Sequence, residues 1–345
     1  MTSRELAALA GVSQSTVSRV LNGRQGVSRE KQQKVLEMAR NYQFELDVNA
    51  RGLRTKKPGR VGVLLSRSFI GFDVNLFWAT IYSRLHVKLL ERGYTSLPIY
   101  GYHGSEKEVL NRLIQQKQTD RMILVSTNGF YLQEDLQILF ERNIPFVCIY
   151  DRQERDIYYP EKNVKVVALD FKDAGQKAGH FLYQMGHRRI AVQTNRPATS
   201  DISRYEGVRE VLGKNTVLRE LPEIPESNPV TFQGGYAVAK RGMNILKEST
   251  AVLAVNDASA LGIIAALQEG GLRVPEDISV VGTNNIPMCT WWSPRLTTVS
   301  FDTSEIAEKA VKLLMEDKTE KTVIVPQLVV RESVQQIDQK KGGNL

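Results

Sequence analysis

Five polar side chains near the start of the chain are of types that hydrogen-bond to the edges of DNA bases. They are Gln14, Ser15, Thr16, Ser18 and Arg19. Glutamine can pair with adenine through two hydrogen bonds, arginine can do so with guanine, and serine reaches bases or phosphates. Residues near the start of a recognition helix point at base edges in the major groove, so their spacing indicates DNA reading. The alternative is an ordinary polar helix face.

Three short helices are predicted to position these side chains. Thr2 and Glu5 have the spacing of a capping box, and Gly11 ends the first helix. Ser13 is expected to cap the second helix and Ser28 the third. The apolar residues at helical spacing are Leu6, Leu9, Ala10, Val17, Val20, Leu21, Val35, Leu36, Ala39 and Tyr42. This pattern is that of a helix-turn-helix, in which the second helix reads DNA.

The charge of the chain is concentrated in the same region. Residues 1–60 hold 12 Lys and Arg against 5 Asp and Glu, a net charge of +7, whereas the whole chain of 345 residues carries +8. A small basic domain on a nearly neutral body is what binding to phosphates requires. A solvated basic tail is the alternative, but this segment is patterned for folding.

Residues 47–59 are polar and basic, include Pro58-Gly59, and are predicted to link two domains. From Val61 onwards, apolar strand-like runs alternate with amphipathic helical stretches. That alternation predicts an α/β core of parallel, doubly wound sheets arranged as two lobes. Ligands bind such folds at the carboxyl ends of the strands, in a cleft between lobes.

Several classes of protein are disfavoured by what the sequence does not contain. It has no P-loop, nucleophile elbow or Gly-x-Gly-x-x-Gly motif, so we expect no enzyme, no cofactor and no metal site. Cys148 and Cys289 lie far apart and are expected to be buried. His180 and His187 are expected to be structural. The N-terminus does not resemble a signal peptide and no apolar run would span a membrane, so a cytoplasmic protein is predicted.

The chain resembles the LacI/GalR family of bacterial repressors. The resemblance begins with the motif from Thr2 to Asn22 and continues through Val27-Ser28 and Arg51-x-Leu53-Arg54. In the core it includes Asn256-Asp257, and further motifs fit the family in order at 186–191, 261–262, 277–282 and 296–299. The similarity covers the chain to about residue 333.

This resemblance implies a set of DNA contacts. Gln14, Ser15 and Arg19 would contact bases, and Asn22 and Ser28 would hold phosphates. Residues 47–59 would form a hinge helix with Ala50 and Leu53 on one face. In a dimer, the paired leucines would wedge open a central base step, which costs unstacking energy but gains contact area. Packing of Leu53 onto its own domain is the alternative. The partners implied are a near-palindromic double-stranded operator, a second copy of the chain and a small effector.

The resemblance also implies the effector-binding residues between the lobes: Phe77, Trp78, Asp151, Arg204, Asn256, Asp257, Asn284 and Phe301. Amides, carboxylates, an arginine and aromatic faces suit a sugar. The stretch from Asn284 to Pro287 resembles members that respond to galactosides, whereas the cleft aromatics also occur in purine-responsive relatives. A family regulator with a phosphoprotein corepressor and a sugar sensor that does not bind DNA remain open. The alternatives to effector binding are that the aromatic rings pack in the core and that Arg204 forms a structural ion pair.

The expected domain organisation follows the family. A helix-turn-helix domain spans residues 1–46, a hinge 47–59, the core 60–333 and a tail 334–345. Within the core, the N-lobe is expected at 60–161 and 294–320, and the C-lobe at 162–293 and 321–333. The tail carries no leucine heptads, so a dimer is predicted rather than a tetramer.

Overall fold

The computed structural model describes twelve stretches of the chain. They are residues 3–21, 26–42, 59–65, 76–100, 106–116, 118–125, 133–151, 164–194, 199–213, 216–225, 227–316 and 321–337. The chain divides into two compact units, Met1–Gly59 and Arg60–Leu345. The expected capping residue Thr2 and nearly all of the hinge lie outside the described residues, as does Asn22-Gly23, a pair typical of a helix end that the sequence predicts to stop the second helix.

The described part of the first unit consists of three helices. They are α1 (Ser3–Ala10), α2 (Gln14–Leu21) and α3 (Arg29–Asn41). Gly11 ends α1 with a φ of +63°, a left-handed conformation that glycine adopts without steric cost. Ser13 then caps α2, because its Oγ accepts a hydrogen bond from the backbone N–H of Thr16 at 3.2 Å. The predicted turn and cap between the first two helices are confirmed.

A small apolar core joins these helices. Leu6, Val17 and Val35, one from each helix, are fully buried. The prediction is wrong for Leu9 and Leu36, which are 46% and 43% exposed. Each lies beside the buried arc of its helix rather than within it, because the tight three-helix core leaves room for only a narrow face.

The end residues of α3 also differ from expectation. Tyr42 is 54% exposed and occupies the C-cap position, just beyond the last residue of α3. Ser28 occupies the N-cap position with extended backbone, but its side chain makes no capping hydrogen bond. Its exposed hydroxyl therefore points to solvent in the free protein.

The second unit alternates strands with helices. Its elements in chain order are β1 (Arg60–Leu65), α4 (Leu76–Glu91), β2 (Thr95–Tyr100), α5 (Glu106–Gln115), β3 (Arg121–Val125), α6 (Gln133–Glu141), β4 (Phe146–Asp151), β5 (Lys165–Leu169), α7 (Phe171–Gln184), β6 (Arg189–Val192), α8 (Thr199–Leu212), β7 (Val217–Glu220), α9 (Phe232–Arg241), α10 (Met243–Lys247), β8 (Ala251–Leu253), α11 (Asp257–Glu269), β9 (Ser279–Thr283), β10 (Thr297–Ser300), α12 (Thr303–Met315), β11 (Lys321–Ile324) and β12 (Gln327–Val329). A short 3₁₀ helix, Pro287–Thr290, follows β9.

These strands form two six-stranded sheets. The first has the order β11-β5-β4-β3-β1-β2 and the second β12-β10-β9-β8-β6-β7. Among the described pairings all are parallel except that of β10 with β12. Strands such as β4 and β9 are buried along their whole length, as expected where helices cover both faces of a parallel sheet. The predicted α/β class with two doubly wound lobes is confirmed.

The predicted lobe boundaries are wrong in three places. Residues 165–169 were expected in the C-lobe, but β5 pairs with β4 and β11 of the first sheet. Residues 297–300 were expected in the N-lobe, but β10 pairs with β9 of the second sheet. Residues 321–324 form β11 of the first sheet instead of belonging to the C-lobe. Sheet membership depends on long-range pairing, which the local apolar pattern of a strand does not encode.

The chain therefore passes between the sheets after β5, after β10 and after β11. Phe171 comes shortly after β5 and Phe301 directly after β10, where the first two of these crossings begin, and both side chains are buried. They belong to one apolar cluster that includes Ile149 of the first sheet and Val281 of the second. Among the described residues, no helix is long and apolar enough to cross a membrane.

Candidate functional site

The polar face of α2 is presented to solvent. Gln14, Ser15 and Arg19 are exposed, whereas Thr16 and Ser18 are half-buried. The Nε2 of Gln14 donates a hydrogen bond to the Oγ of Ser3 at 2.8 Å. The α2 surface therefore offers an amide and a guanidinium beside small hydroxyls, which is the chemistry of base reading. Of the other predicted DNA contacts, Ser28 is exposed, and Asn22, Ala50 and Leu53 lie outside the described residues.

Three of the predicted effector residues line one cleft of about 520 Å³. They are Phe77 at the start of α4, Asn284 after β9 and Phe301 after β10. The rest of its lining is largely polar, and it includes Thr80, Arg84, Asn285, Ser300, Asp302, Thr303, Glu305 and Gln327. The cleft thus lies between a helix of the first lobe and the strand ends of the second. Its size falls within the range of small-molecule sites.

The aromatic side chains belong to the protein core as much as to the cleft. Phe77 and Phe301 are each 2% exposed and Trp78 is 6% exposed. The ring centroids of Phe77 and Trp78 are 4.9 Å apart, and those of Phe77 and Phe301 are 6.2 Å apart. Phe171 packs on the other side of Phe301, with centroids 4.8 Å apart. Phe77 and Phe301 therefore form a rigid apolar base, while Trp78 supports it.

Arg204 lies in a separate, much smaller hollow. This buried side chain, 9% exposed, forms an ion pair with Asp201 on the same helix. The hollow is also lined by Gln193 and by Thr283, the residue before Asn284. The structural ion pair considered from the sequence is therefore present. Asp151 lies at the carboxyl end of β4, on the first sheet, and is buried.

The polar atoms of Asn256 are engaged by the protein itself. Its Oδ1 accepts a hydrogen bond from the backbone N–H of Ser259 at 2.9 Å, so it caps α11. Its Nδ2 donates to the carbonyl oxygen of Val230 at 2.8 Å. Asn256 therefore organises the end of β8 rather than presenting its amide to the cleft of about 520 Å³.

Asp257 is also engaged. Its Oδ1 accepts a hydrogen bond from the Thr298 hydroxyl at 2.5 Å, and its Oδ2 accepts one from the backbone N–H of Ile286 at 2.9 Å. Burial raises the pKa of this carboxyl from 3.8 to about 6, because removal from water outweighs these hydrogen bonds. The neighbouring thiol of Cys289 also has its pKa raised by burial. Asp257 thereby ties α11 to the loop after β9.

The sequence did not point to Arg331, which contacts the same loop. Its Nη2 donates to the Oδ1 of Asn285 at 2.6 Å, and its Nη1 donates to the carbonyl oxygen of Leu296 at 2.6 Å. Arg331 follows β12 in an irregular segment, where no periodic pattern distinguishes it from a solvent-exposed arginine. Only the antiparallel pairing of β12 with β10 places it beside the loop.

Two family models match this chain. One, described as "Bacterial regulatory proteins, lacI family", matches residues 2–45, and the other, described as "Periplasmic binding protein-like domain", matches residues 179–334. The chain therefore carries a lacI-family helix-turn-helix domain and a periplasmic-binding-protein-like domain. The lacI model covers the three N-terminal helices with the exposed α2 surface, and the second model covers most of the second lobe.

Relatives of this lacI-family chain span its whole length. The HTH-type transcriptional repressor PurR of Vibrio atlanticus (strain LGP32) is 29% identical over 98% of this chain and 99% of its own. A solved complex of the transcriptional regulator CelR with cellobiose is 27% identical, covers 96% of this chain and 99% of that chain, and has a TM-score of 0.65. The lac repressor dimer bound to operator and the anti-inducer ONPF is 22% identical over 97% of this chain and 99% of that chain, with a TM-score of 0.76, and shows the shared fold.

These similarities confirm the general functional prediction. The lacI-family chain is a DNA-binding transcriptional regulator with a ligand-binding core, and its relatives are regulators rather than enzymes. The individual DNA-contacting and effector-contacting residues stay predictions.

Proposed function

We propose that this regulator represses sugar-utilisation genes and that a sugar bound between the lobes of its core controls its affinity for DNA. It acts as a homodimer on a near-palindromic operator, with one α2 surface in each half-site. The observation that carries the proposal is the cleft of about 520 Å³, which combines an aromatic base with a polar wall.

The lining of this cleft suits a neutral polyhydroxylated ligand. Thr80 and Gln327 offer uncharged donors and acceptors for hydroxyl groups, and Asn284 lines the adjoining wall. Phe77 and Phe301 offer an apolar surface for the C–H face of a sugar ring. The CelR relative of similar fold was solved with cellobiose, which supports a sugar for this chain as well.

A purine base is the second effector class, since Phe77 and Phe301 are aromatic. The planes of their rings are inclined by 52°, so they form no parallel-walled slot for a flat base. Stacking of a base needs a face-to-face or offset-parallel partner on at least one side. The two rings therefore cannot sandwich a purine base between them.

The DNA-binding part of the proposal is tested by selecting bound duplexes from a randomised library with the full-length protein at near-physiological salt. We expect a near-palindrome with a flexible central step. Arg19→Ala should weaken binding to the selected sequence by about 10-fold or more, as expected for loss of a bidentate base contact, and should relax the preference at one position. Arg40→Ala removes the same charge from the exposed end of α3 and serves as the control.

The effector part is tested by titrating the operator complex with cellobiose, methyl β-D-galactoside, ribose and hypoxanthine. A sugar that changes operator affinity supports the proposal, whether it releases or strengthens the complex. A response to hypoxanthine alone would replace the sugar by a purine. If DNA selection enriches no motif and binding is only weak and salt-sensitive, the proposal that this protein is an operator-specific repressor is wrong.

A further inference from the structure

The loop after β9 has a backbone that residues with a Cβ rarely adopt. Asn284 has a φ of +108° and Asn285 has a φ of +55°. Two consecutive asparagines with positive φ store conformational strain, which persists only where the surroundings over-determine the backbone. Both residues line the cleft of about 520 Å³, so the strain is located at the proposed effector site.

Hydrogen bonds from three directions hold this loop. The backbone N–H of Asn284 donates to the carbonyl oxygen of Val299 at 2.7 Å, which continues the pairing of β9 with β10. From α11, the Asp257 carboxylate accepts the N–H of Ile286 on the far side of the loop. From the segment after β12, the Arg331 guanidinium donates to the side-chain oxygen of Asn285.

The loop also carries an uncompensated polar atom. The Oδ1 of Asn284 is buried and has no hydrogen-bond partner among the described residues. A buried acceptor without a partner destabilises the fold, and such a group in a native protein calls for an explanation. The surrounding contacts therefore maintain a conformation that stability alone does not favour.

We propose that Asp257 and Arg331 are positioning residues for effector recognition, which hold the Asn284–Asn285 turn in its left-handed conformation so that it forms one wall of the effector site. This inference rests on the proposed function, because it assigns the two residues to the same cleft. Neither residue lines that cleft, whereas both members of the turn do. Asp257 and Arg331 thus act on the ligand through the turn, without touching it.

The restraint itself is tested without any ligand, by hydrogen–deuterium exchange of full-length protein. In Arg331→Met, the peptide covering residues 282–292 should exchange about 10-fold faster than in the wild type. Arg295→Met is the matched control, because Arg295 lies on a nearby segment and pairs with Glu332 at 2.7 Å without contacting the turn. Equal exchange of this peptide in the wild type and Arg331→Met would overturn the proposal.

A double-mutant cycle separates positioning from general stabilisation. Asn285→Gly allows positive φ at no cost and removes the amide that Arg331 contacts. The effect of Arg331→Met on exchange at 282–292 should therefore be much smaller in the Asn285→Gly background. If Arg331→Met has the same effect on exchange in the Asn285→Gly background as in the wild type, Arg331 acts only through its bond to Leu296. The proposal that Arg331 positions the turn would then be wrong.

The link to recognition is tested by calorimetric titration with cellobiose and with methyl β-D-galactoside. For whichever sugar binds the wild type, Arg331→Met and Asp257→Asn should raise the Kd about 10-fold, while Arg295→Met changes it less than 2-fold. Operator affinity without sugar should be unchanged in all three variants. An unchanged sugar Kd would remove the positioning role. If the wild type binds neither sugar, the proposed effector class fails, and the exchange experiment still decides whether the turn is restrained.

Discussion

The carboxyl of Asp257 is completely buried, and burial raises its pKa to about 6. The Thr298 hydroxyl, the backbone N–H of Ile286, the Cys289 thiol and the charge of Arg331 all favour its ionised form, but together they do not offset the loss of water. The folded pKa exceeds the unfolded value of 3.8, so the folded state retains a proton that the unfolded chain releases between about pH 4 and pH 6. This group therefore makes the fold less stable as the pH rises through that window.

Asp257→Asn should remove this dependence. Between pH 4 and pH 7, the stability of the wild type should fall relative to the variant by about 2 kcal/mol, because this window covers most of the pKa difference at 1.36 kcal/mol per unit. Urea unfolding of both proteins at several pH values measures this difference. If the two curves of unfolding free energy against pH stay parallel over the whole range, burial does not raise the free-energy cost of ionising Asp257.

Residue roles could be predicted from the sequence only where a local motif carries them. The exposure of Gln14, Ser15 and Arg19 follows from the turn and cap before α2. The cap that Asn256 forms with Ser259 is local, but the bond of Asn256 to Val230 and that of Asp257 to Ile286 do not follow from their motif, because these partners lie 26 and 29 residues away. Arg331 was missed for the same reason.

At the scale of single elements, the first unit offers a matched pair of helix caps. The Oγ of Ser13 accepts a hydrogen bond from the backbone N–H of Thr16 at the start of α2, whereas Ser28 occupies the same position before α3 without a side-chain bond. Ser13→Ala should destabilise the three-helix unit by about 1 kcal/mol, and Ser28→Ala by clearly less. Amide exchange at the start of α2 and α3 in the full-length protein measures both effects. Equal losses would mean that the capping bond contributes nothing.

Helices α7 and α8 approach each other through glycines. A Cβ on Gly175 would overlap the carbonyl oxygen of Arg204, and a Cβ on Gly207 would overlap that of Lys172. This backbone contact fixes the axial position of α8, and with it the position of Arg204 and Asp201 in their hollow.

Gly207→Ala should therefore destabilise the core by about 3 kcal/mol, the upper range for overpacking. Thermal unfolding measures the change in stability. In a helix interior alanine is otherwise more stable than glycine by about 1 kcal/mol, so a loss of stability would be due to the helix contact. A more stable variant would show that the two helices can separate without cost.

The elements themselves were predictable to different degrees. The continuous apolar runs 61–65, 122–125 and 146–149 of the sequence predict strands, and β1, β3 and β4 match them within one or two residues. The sequence does not predict helix α8, because its apolar residues do not follow one stripe: Val208 is buried while Ile202 is 43% exposed. Strands β7, β11 and β12 lie at sheet edges, are three or four residues long and carry only weak alternation.

At the scale of the whole core, the segment after β12 fastens the second sheet. The Ser333 hydroxyl donates to the carbonyl oxygen of Val280 at 2.6 Å and accepts from the backbone N–H of Thr297 at 2.8 Å, so one side chain joins β9 to β10. Two residues further on, the Nε2 of His187 lies 3.2 Å from the carbonyl oxygen of Gln335. The residues following the last strand are thus part of the fold.

Ser333→Ala should destabilise the core by about 2–3 kcal/mol, because it leaves a buried N–H and a buried carbonyl without this partner. Chemical unfolding measures the free energy of unfolding of this variant and of Ser304→Ala as the control. The backbone N–H of Ser304, which the substitution keeps, is the group that takes part in the cap of α12. A loss no greater than that of the control would show that water replaces the hydroxyl.

The three passages of the chain between the sheets also set the order in which a nascent protein becomes structured. The described core of the three N-terminal helices is built from residues 6–39, so it is complete once that stretch leaves the ribosome. The first sheet, by contrast, lacks its edge strand until Ile324 has been made, and the second lacks β12 until Val329. At roughly 5–20 residues per second, translation separates these events by about 15 to 60 seconds. During that interval every growing chain carries a folded helix-turn-helix, while the core that is proposed to bind the effector is still incomplete.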